Sequence, residues 1–470
     1  MLKRIPLPAF TPDRPLTTAD VSNVIATADG YRPAKAFSAV TTALSGILGG
    51  ASFIGSDGTS ALLGGTATNL YRYASGAWTS LIGSLSAASW RFDQFGDNVI
   101  AVNGAAPIGF NITAGTAAAL GGSPPSADLV ATVRQQVFLA GNPSARNTVY
   151  ISGYNDSTGW TAGVNQSLAV PFPSGGQIMG LCGGETGIIL QQRSVKRATY
   201  TGDVTVYQFD EISKDVGCMA KGSVSQAGLL VFFLSDQGFK VCDRNEVIPI
   251  GNERIDRTFF GAYSRVDIVN NIRCAVDPLS TTVTWMMPGN PGRLWQYNWT
   301  LGPDKGWSVI DAACKTIFPG FSANTTLEGL NALYPGGIDT IPYSLDATIF
   351  AGGNPLFFVV NASDVVGTMT GDNLAAYVSL SPQEIEPGKR VRIRGARVVG
   401  DVVAGTVTID KRARAGDPAS TVVSGSIRDN GRVPLRANGR SIGVRIDIPA
   451  SAVWTYIQGC DLEYEIEGSR

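Results

Sequence analysis

The chain has 470 residues, with 37 Lys plus Arg against 38 Asp plus Glu, and only 16% of its residues are charged. Such a balance argues against a surface that grips nucleic acid everywhere, and so little charge suits a subunit packed among neighbours or coated with small polar side chains. Histidine is absent, which removes every Ser-His, Cys-His and His-metal arrangement and so weighs heavily against an enzyme.

The opening Met1-Leu2-Lys3-Arg4-Ile5-Pro6-Leu7-Pro8 is basic, but Pro6, Pro8 and Pro12 break any apolar signal region. Residues 1–30 are therefore expected to be extended and to join a later domain. The longest strongly apolar run, Leu229–Leu234, spans six residues, far short of a bilayer crossing, so no membrane insertion is expected.

From about residue 31 helical periodicity is nearly absent, and short apolar runs alternate with Gly, Asn, Asp and Pro. One pattern recurs: a short apolar strand, a tight turn, then a second strand carrying aromatics. It opens at Thr59 (Ala61-Leu62-Leu63, Gly64-Gly65, then Leu70-Tyr71-Arg72-Tyr73) and at Asn98 (Val99-Ile100-Ala101-Val102, Asn103-Gly104, then Ile108-Gly109-Phe110). It returns at Gln136, Gly187, Leu230 and Val283, with successive starts 39, 38, 51, 43 and 53 residues apart. A weaker seventh copy is expected near Leu330, through Leu333-Tyr334, Pro335-Gly336-Gly337 and Ile341-Pro342-Tyr343. Two copies share an ending, Gly76-Ala77-Trp78-Thr79 and Gly306-Trp307-Ser308. Units of roughly 40–50 residues with four short strands mark a β-propeller, because one small sheet cannot bury both faces alone. The expected fold class is all-β: a propeller of six or seven irregular blades over 31–355, with a two-sheet sandwich array as the alternative.

Near Pro382 the character changes. Thirteen cations fall between Lys389 and Arg445, against the four acids Asp401, Asp410, Asp417 and Asp429. Arg390-Val391-Arg392-Ile393-Arg394 and Val444-Arg445-Ile446-Asp447-Ile448 alternate strictly, as strands with one wet face do. Residues 356–470 are thus expected to form a smaller β-sandwich-like platform domain. Its arginines read either as a solvated face or salt-bridge ladder, as a docking surface for an acidic partner, or as a contact for passing DNA. The last is disfavoured, since DNA that must leave quickly should not be held by many phosphate contacts.

Chemistry-bearing constellations are scarce. The six Cys (182, 218, 242, 274, 314 and 460) include no CxxC pair and read as ordinary buried thiols rather than a disulfide or zinc framework. Ser235-Asp236-Gln237-Gly238-Phe239 resembles the Asp-box turn of sialidase-type propellers, but Val241 stands where a Trp is expected, and Asp-x-Gly turns are ordinary hairpin chemistry. No spacing singles out the two converging carboxylates a glycosidase needs. No phosphate-cradling glycine loop occurs in a strand-to-helix setting. No catalytic, metal or cofactor residue is assigned. Trp160, in the long loop that runs to about Gly176, is either an anchor at a subunit contact or a cap on its own blade.

These residues resemble the nozzle or tail-hub proteins of short-tailed phages, also called packaged-DNA-stabilisation proteins. The likeness begins with Tyr31-Arg32-Pro33 and Gly65–Tyr71, then Trp90-Arg91-Phe92 leading into Phe95–Gly104. It continues through Asn155–Gly163, Gly183-Gly184-Glu185 with Gln192-Arg193-Ser194, and Phe209–Ile212. The most specific part is Phe232–Phe239, Ile250-Gly251-Asn252, Ile255–Phe260 and Val276-Asp277-Pro278, strong by order and spacing rather than piece by piece. Beyond Pro382 only Trp454 and Gly459–Glu463 match.

The resemblance implies a propeller with a platform built from both chain ends, assembled as a homohexamer beneath the portal and its head-to-tail adaptor. A tail fibre, tailspike or needle protein would lie beyond it, and double-stranded DNA would pass through the ring without sequence specificity. It implies a virion tail protein made in the host cytoplasm, with no chemistry and no cofactor. Arg390, Arg392, Arg394, Arg397 and Trp160 are then the candidate assembly and docking residues. Two other classes compatible with the residues are a carbohydrate-binding or carbohydrate-cleaving propeller and a host protein-interaction propeller.

Overall fold

A computed structural model describes residues 1–14, 19–203, 205–289, 291–322, 336–341, 353–412, 417 and 421–468. The Leu230–Ser235 strand shows how the sequence makes this fold. Its continuous apolar run is buried on both sides: Val231 and Phe233 pack with Met179, Ile188 and Leu190, whereas Phe232 and Leu234 pack with Val283, Trp285 and Trp307. Successive strand residues point to opposite faces, so an unbroken apolar run means a sheet sandwiched between two others.

Seven antiparallel four-stranded sheets obey this rule among the described residues. Blades I to VI occupy 49–82, 91–119, 129–171, 178–213, 225–249 and 273–311 in chain order. Blade VII takes Cys314–Phe321, Pro355–Asn361 and Val365–Thr368, and its outermost strand is Ser38–Ala43 from near the other end of the chain. Every junction between neighbouring blades carries an apolar cluster. Phe53, Leu63, Val99 and Phe110 join I to II; Ile100, Val102, Val137 and Leu139 join II to III. Phe138, Ile151, Ile189 and Tyr207 join III to IV, and Ala275, Met286, Ile317 and Val359 join VI to VII. Phe318, Phe358 and Val366 meet Leu62, Tyr71 and Trp78, closing VII onto I.

Side chains on the innermost strands tie one blade to the next. Gln94 Nε2 donates to Ile54 O at 2.8 Å, Thr132 Oγ1 to Gln94 O at 2.9 Å, Gln226 Nε2 to Gly183 O at 3.0 Å and Ser52 Oγ to Phe321 O at 2.8 Å. The chain is therefore a seven-bladed β-propeller carrying a smaller β-sandwich. The six clearly read repeat starts all fall on, or one residue beside, the second strand of blades I to VI. The seventh differs. Its counterpart is Pro355–Asn361, with Leu356 to Val360 as the apolar run, while Leu330–Pro335 and Pro342-Tyr343 lie outside the described residues. The propeller accordingly extends to Thr368, so a boundary at 355/356 would cut through blade VII.

The platform is a sandwich of two sheets drawn from both ends. One contains Leu2–Pro6, Val24–Thr27, Gly30–Pro33, Arg390–Gly400 and Ile457–Gly468; the other contains Ala19–Ser22, Ala376–Glu384, Thr406–Arg412, Thr421–Ser426 and Ser441–Ile448. The opening segment thus supplies four strands. It also continues as Ser38–Ala43 into blade VII. Between the sheets lie Val21, Val378, Val391, Ile393, Val407, Ile409, Val444, Ile446 and Leu462, all nearly inaccessible to water. The platform leans on blade VI, where Asn23 N donates to Val309 O at 3.0 Å and Ser22 Oγ to Asp311 Oδ2 at 2.7 Å.

Ring closure gives a direct test. Phe358 is 4% exposed and its ring centroid lies 5.5 Å from that of Phe318. Phe358→Ala leaves a void at the VII–I junction and should cost about 3–5 kcal/mol. Denaturant titration should show the midpoint falling, with the β-type circular dichroism spectrum of the native state retained.

Candidate assembly surface and the blade V–VI clasp

The arginine strand Arg390–Gly400 exposes residues 390, 392, 394 and 397 and buries Val391, Ile393, Ala396 and Val398. Its partner strand Ile457–Gly468 sets a row of acids beside them, with Arg392 opposite Glu465 and Arg397 opposite Asp461. Arg394 Nη2 reaches Glu465 Oε2 at 2.6 Å, Arg392 Nε lies 3.9 Å from Glu467 Oε1, and Arg432 Nη2 is 2.7 Å from Glu463 Oε2. Arg4, on the adjoining N-terminal strand, takes Asp461 with two contacts of 2.9 and 3.0 Å. Arg390 donates to Asn438 rather than to an acid. Arg397 is exposed and, among the described residues, makes no ion pair.

The face is thus a ladder of alternating charge rather than a basic patch. Exposed pairs of this kind contribute about 0–1 kcal/mol each. They keep this sheet face wet and contribute little to holding the fold.

Trp160 sits between strands Thr148–Ile151 and Leu168–Pro171 of blade III. Its indole Nε1 donates to Ser157 O at 3.0 Å, and its ring packs on the II–III apolar cluster beside Phe95, Leu120 and Tyr150. The loop comes so near blade II that a Cβ on Gly122 would lie 1.5 Å from Thr158 O. Trp160 therefore caps the junction of its own blade with the preceding one. Of the five candidate residues, the structure brings the four arginines onto one strand and leaves Trp160 on a separate propeller loop.

The stretches carrying the most specific resemblance meet elsewhere, between blades V and VI. The Ser235–Gly238 turn joins two blade V strands, and Gly238 has φ +104°, a left-handed conformation suited to glycine. Asp256 opens helix α1 (Asp256–Ala262), which precedes α2 (Arg265–Asn271). The Asp256 carboxylate lies between Gly238 and Gly251: a Cβ at either would come within 1.9 or 2.0 Å of one of its oxygens. Phe239 N donates to Asp256 Oδ1 at 3.1 Å, while Oδ2 is buried with no hydrogen-bond partner. Phe239 packs on Phe259 and Trp285, with centroids 4.9 and 4.6 Å away, and Trp307 Nε1 donates to Ile250 O at 2.9 Å. Asp13 of the opening segment accepts from Arg257 N at 2.9 Å and from Thr258 N at 2.8 Å, supplying the cap of α1 from a distant part of the chain.

Periodicity alone does not single out Asp13 or Asp256. Asp256 falls within Ile255–Phe260, where no local pattern marks a role for it, and the pairing of Asp13 with α1 spans more than 240 residues and leaves no local signal. Burial pushes the Asp256 carboxyl up to about 6, opposed by the Phe239 N–H and by the positive charges of Lys240 and Arg254, while Asp13 reinforces the rise.

A carboxyl raised this way in the folded state binds a proton that the unfolded chain releases nearer 3.8. The stabilisation from that proton is complete below about pH 4 and is lost as pH rises through about 6. Asp256→Asn keeps the acceptor for Phe239 N but cannot ionise. Thermal melts from pH 4 to 8 should show wild-type stability declining over that window relative to the variant, with the variant the more stable at pH 7.

Metal-ligand groupings of three or more Cys, Asp or Glu do not occur among the described residues. No protein family matches the chain, and no curated protein matches it. Among solved structures, a chain of the mitotic checkpoint complex aligns with TM-score 0.40 and 10% identity, over 70% of this chain and 93% of its own length. The WD40 repeats of RRP9 give 0.39 and 10%, covering 64% of this chain and 89% of theirs. The WD40 domain of Pan2 from Neurospora crassa gives 0.39 and 8%, covering 69% and 90%. Likenesses this distant carry nothing about function, and the propeller assignment rests on the ring of sheets itself.

Proposed function

We propose that this chain is a structural subunit of a short-tailed phage tail, a nozzle protein that forms a ring below the portal and its adaptor. In this reading it helps retain packaged DNA and surrounds the path by which DNA leaves, without turnover chemistry. One observation carries the proposal. The ordered segments on which the resemblance is strongest, Phe232–Phe239, Ile250–Asn252 and Ile255–Phe260, fold into one contact cluster with Asp13 and the aromatic side chains of blade VI. Segments that match a family in order and spacing, and that also pack on one another, make a coherent structural unit rather than scattered coincidences.

Two further features support the reading. A platform made from both chain ends is what the resemblance implies, and a charge-poor propeller suits a subunit surrounded by others. The absence of histidine from the sequence supports a structural rather than a catalytic role.

Negative-stain images of the purified chain, alone and mixed with an adaptor ring, test the proposal. Six-fold particles are expected in the mixture; monomers that never bind the adaptor would overturn it. The arginine ladder provides a second measurement. Changing Arg390, Arg392 and Arg394 together to Ser should shift melting little, because exposed pairs contribute little. Adaptor capture should weaken, and the wild-type interaction should fall as salt is raised. Capture equal to wild type would move the docking surface off this strand.

A further inference from the structure

The connection between the third and fourth strands of blade III, residues 152–167, is far longer than its counterparts in blades I, II, IV, V and VI, of which the longest is 299–306. It consists largely of Ser, Gly, Asn and Thr around Tyr154 and Trp160, and Asp156 is its one charged residue. Small polar residues around aromatics also make up antibody recognition loops, where rings give contact area at little cost in rotational freedom. Loops of this length inside a compact domain commonly carry function.

The loop is braced by its own bonds. Gly153 N donates to Gly159 O at 2.7 Å, Tyr154 N to Asn165 O at 2.9 Å and Gly163 N to Ser167 O at 2.8 Å. Asp156 Oδ1 accepts from Thr158 N and Oγ1, and Trp160 is turned onto the seam between blades II and III. The aromatic ring left facing outward is Tyr154, 39% exposed. It stacks on Tyr200 of blade IV, with centroids 6.2 Å apart and planes 27° from parallel. Among the described residues Tyr154 meets no other ring or cation, and its hydroxyl makes no hydrogen bond.

Tyr200 is fixed in turn by three neighbours. The ring of buried Tyr207 lies edge-on at 5.5 Å, Arg134 Cζ is 4.8 Å from the Tyr200 centroid, and the Tyr200 hydroxyl donates to Gln166 Oε1 at 3.2 Å. Arg134 and Gln166 both hold left-handed backbone, φ +51° and +64°, where glycine would be easier. The chain thus accepts local strain to keep these two side chains against Tyr200. Polar groups border the rings. Asn155 N donates to Gln135 O at 2.8 Å and Arg134 N to Gly184 O at 2.9 Å, which brings Asn155, Arg134 and Glu185 into one row. Asn155 and Glu185 are exposed; among the described residues the Asn155 amide has no partner, and Glu185 has only Arg134, 3.5 Å away.

We infer that Tyr154 is the floor of a carbohydrate-binding site that takes one neutral pyranose unit of a polysaccharide. The carbon-bound hydrogens on a pyranose face pack on the negative face of an aromatic ring. The hydroxyls at the sugar's edge need donors and acceptors, which Asn155, Arg134 and Glu185 offer. Only Tyr154 and Val164 are large apolar side chains exposed on this loop. A stable protein contact of about 800 Å² per partner needs a broader apolar centre. The site binds without cleaving, belongs to each propeller by itself, and stands whether or not the nozzle reading holds.

Saturation-transfer NMR of the whole chain with maltohexaose, cellohexaose and mannohexaose tests it. At least one of these should receive saturation concentrated on the hydrogens of one ring face. Tyr154→Ala should weaken that binding about tenfold or more and leave melting unchanged, since the side chain is exposed. Tyr154→Phe keeps the ring and should bind within roughly threefold of wild type. If Tyr154→Ala fails to fold, Asn155→Gly decides: it suits the left-handed backbone, removes only the amide, and should weaken binding without lowering the melting temperature. No transfer to any of the three sugars, or equal transfer in Tyr154→Ala, would overturn the site. Silence with the sugars, together with adaptor capture that falls in Tyr154→Ala, would also overturn it and assign the loop to a protein contact.

Discussion

Burial of both faces of each blade is the constraint on which the rest of this structure depends. A blade such as 225–249 places Val231 and Phe233 on one side and Phe232 and Leu234 on the other, all fully buried. Such a sheet has no face it can leave in water, so it is stable only between two neighbours, and the last neighbour must be the first blade. Ring closure is therefore a condition of folding rather than a decoration on it. The chain meets that condition by lending Ser38–Ala43 to blade VII. A strand from near residue 40 paired to Val365–Thr368 brings residues before it beside residues after it. The two ends must then share space. Their strands co-fold into one sandwich, in which Leu2–Pro6 pairs with Ile457–Gly468 and Ala19–Ser22 with Ala376–Glu384.

What could be read in the sequence follows from which forces act locally. Apolar runs bounded by turn residues announced the second strands of blades I to VI, because both-face burial writes itself into consecutive residues. The seventh was misplaced towards Leu330. Its first two strands, Cys314–Phe321 and Pro355–Asn361, are separated by a stretch far longer than the turns of the other inner hairpins, so spacing lost its value there. The alternation of Arg390, Arg392 and Arg394 was legible as one wet face. The acids that answer it, Glu465 and Glu467, were not, since strand pairing across about 70 residues leaves no trace in local pattern. Trp160 was recognisable as a loop aromatic, but only the fold shows the neighbouring blade beneath it.

The clasp between blades V and VI shows a different economy. Asp256 occupies a narrow slot between two glycines, and a carboxylate oxygen without a partner is unfavourable there. The same side chain accepts the Phe239 N–H, while its backbone lies in the α1 turn that Asp13 caps. Two acidic residues therefore make the link: Asp256 ties a blade V hairpin to helix α1, and Asp13 ties that helix to the opening segment that continues into the platform. The order Gly238, Gly251, Asp256 is a geometric requirement. Any side chain at either glycine would collide with the carboxylate, so the three residues make sense only together.

The distribution of charge follows from the same constraint. Positions between blades are mostly apolar, and the outer strands meet solvent or the platform. The inner-strand positions that face the channel are the remaining places on a blade where a polar side chain avoids a sheet-to-sheet junction. Charges placed there are surrounded by protein yet still reached by water, and they interact more strongly than charges on the outer rim. The Lys221–Asp128 ion pair and the Arg91 hydrogen bond to the Asp128 carbonyl use that environment, drawing on blades II, III and V. No single repeat contains this arrangement. It exists only once blades II, III and V have packed together, so the apolar packing that makes the propeller stable also brings these charges into contact.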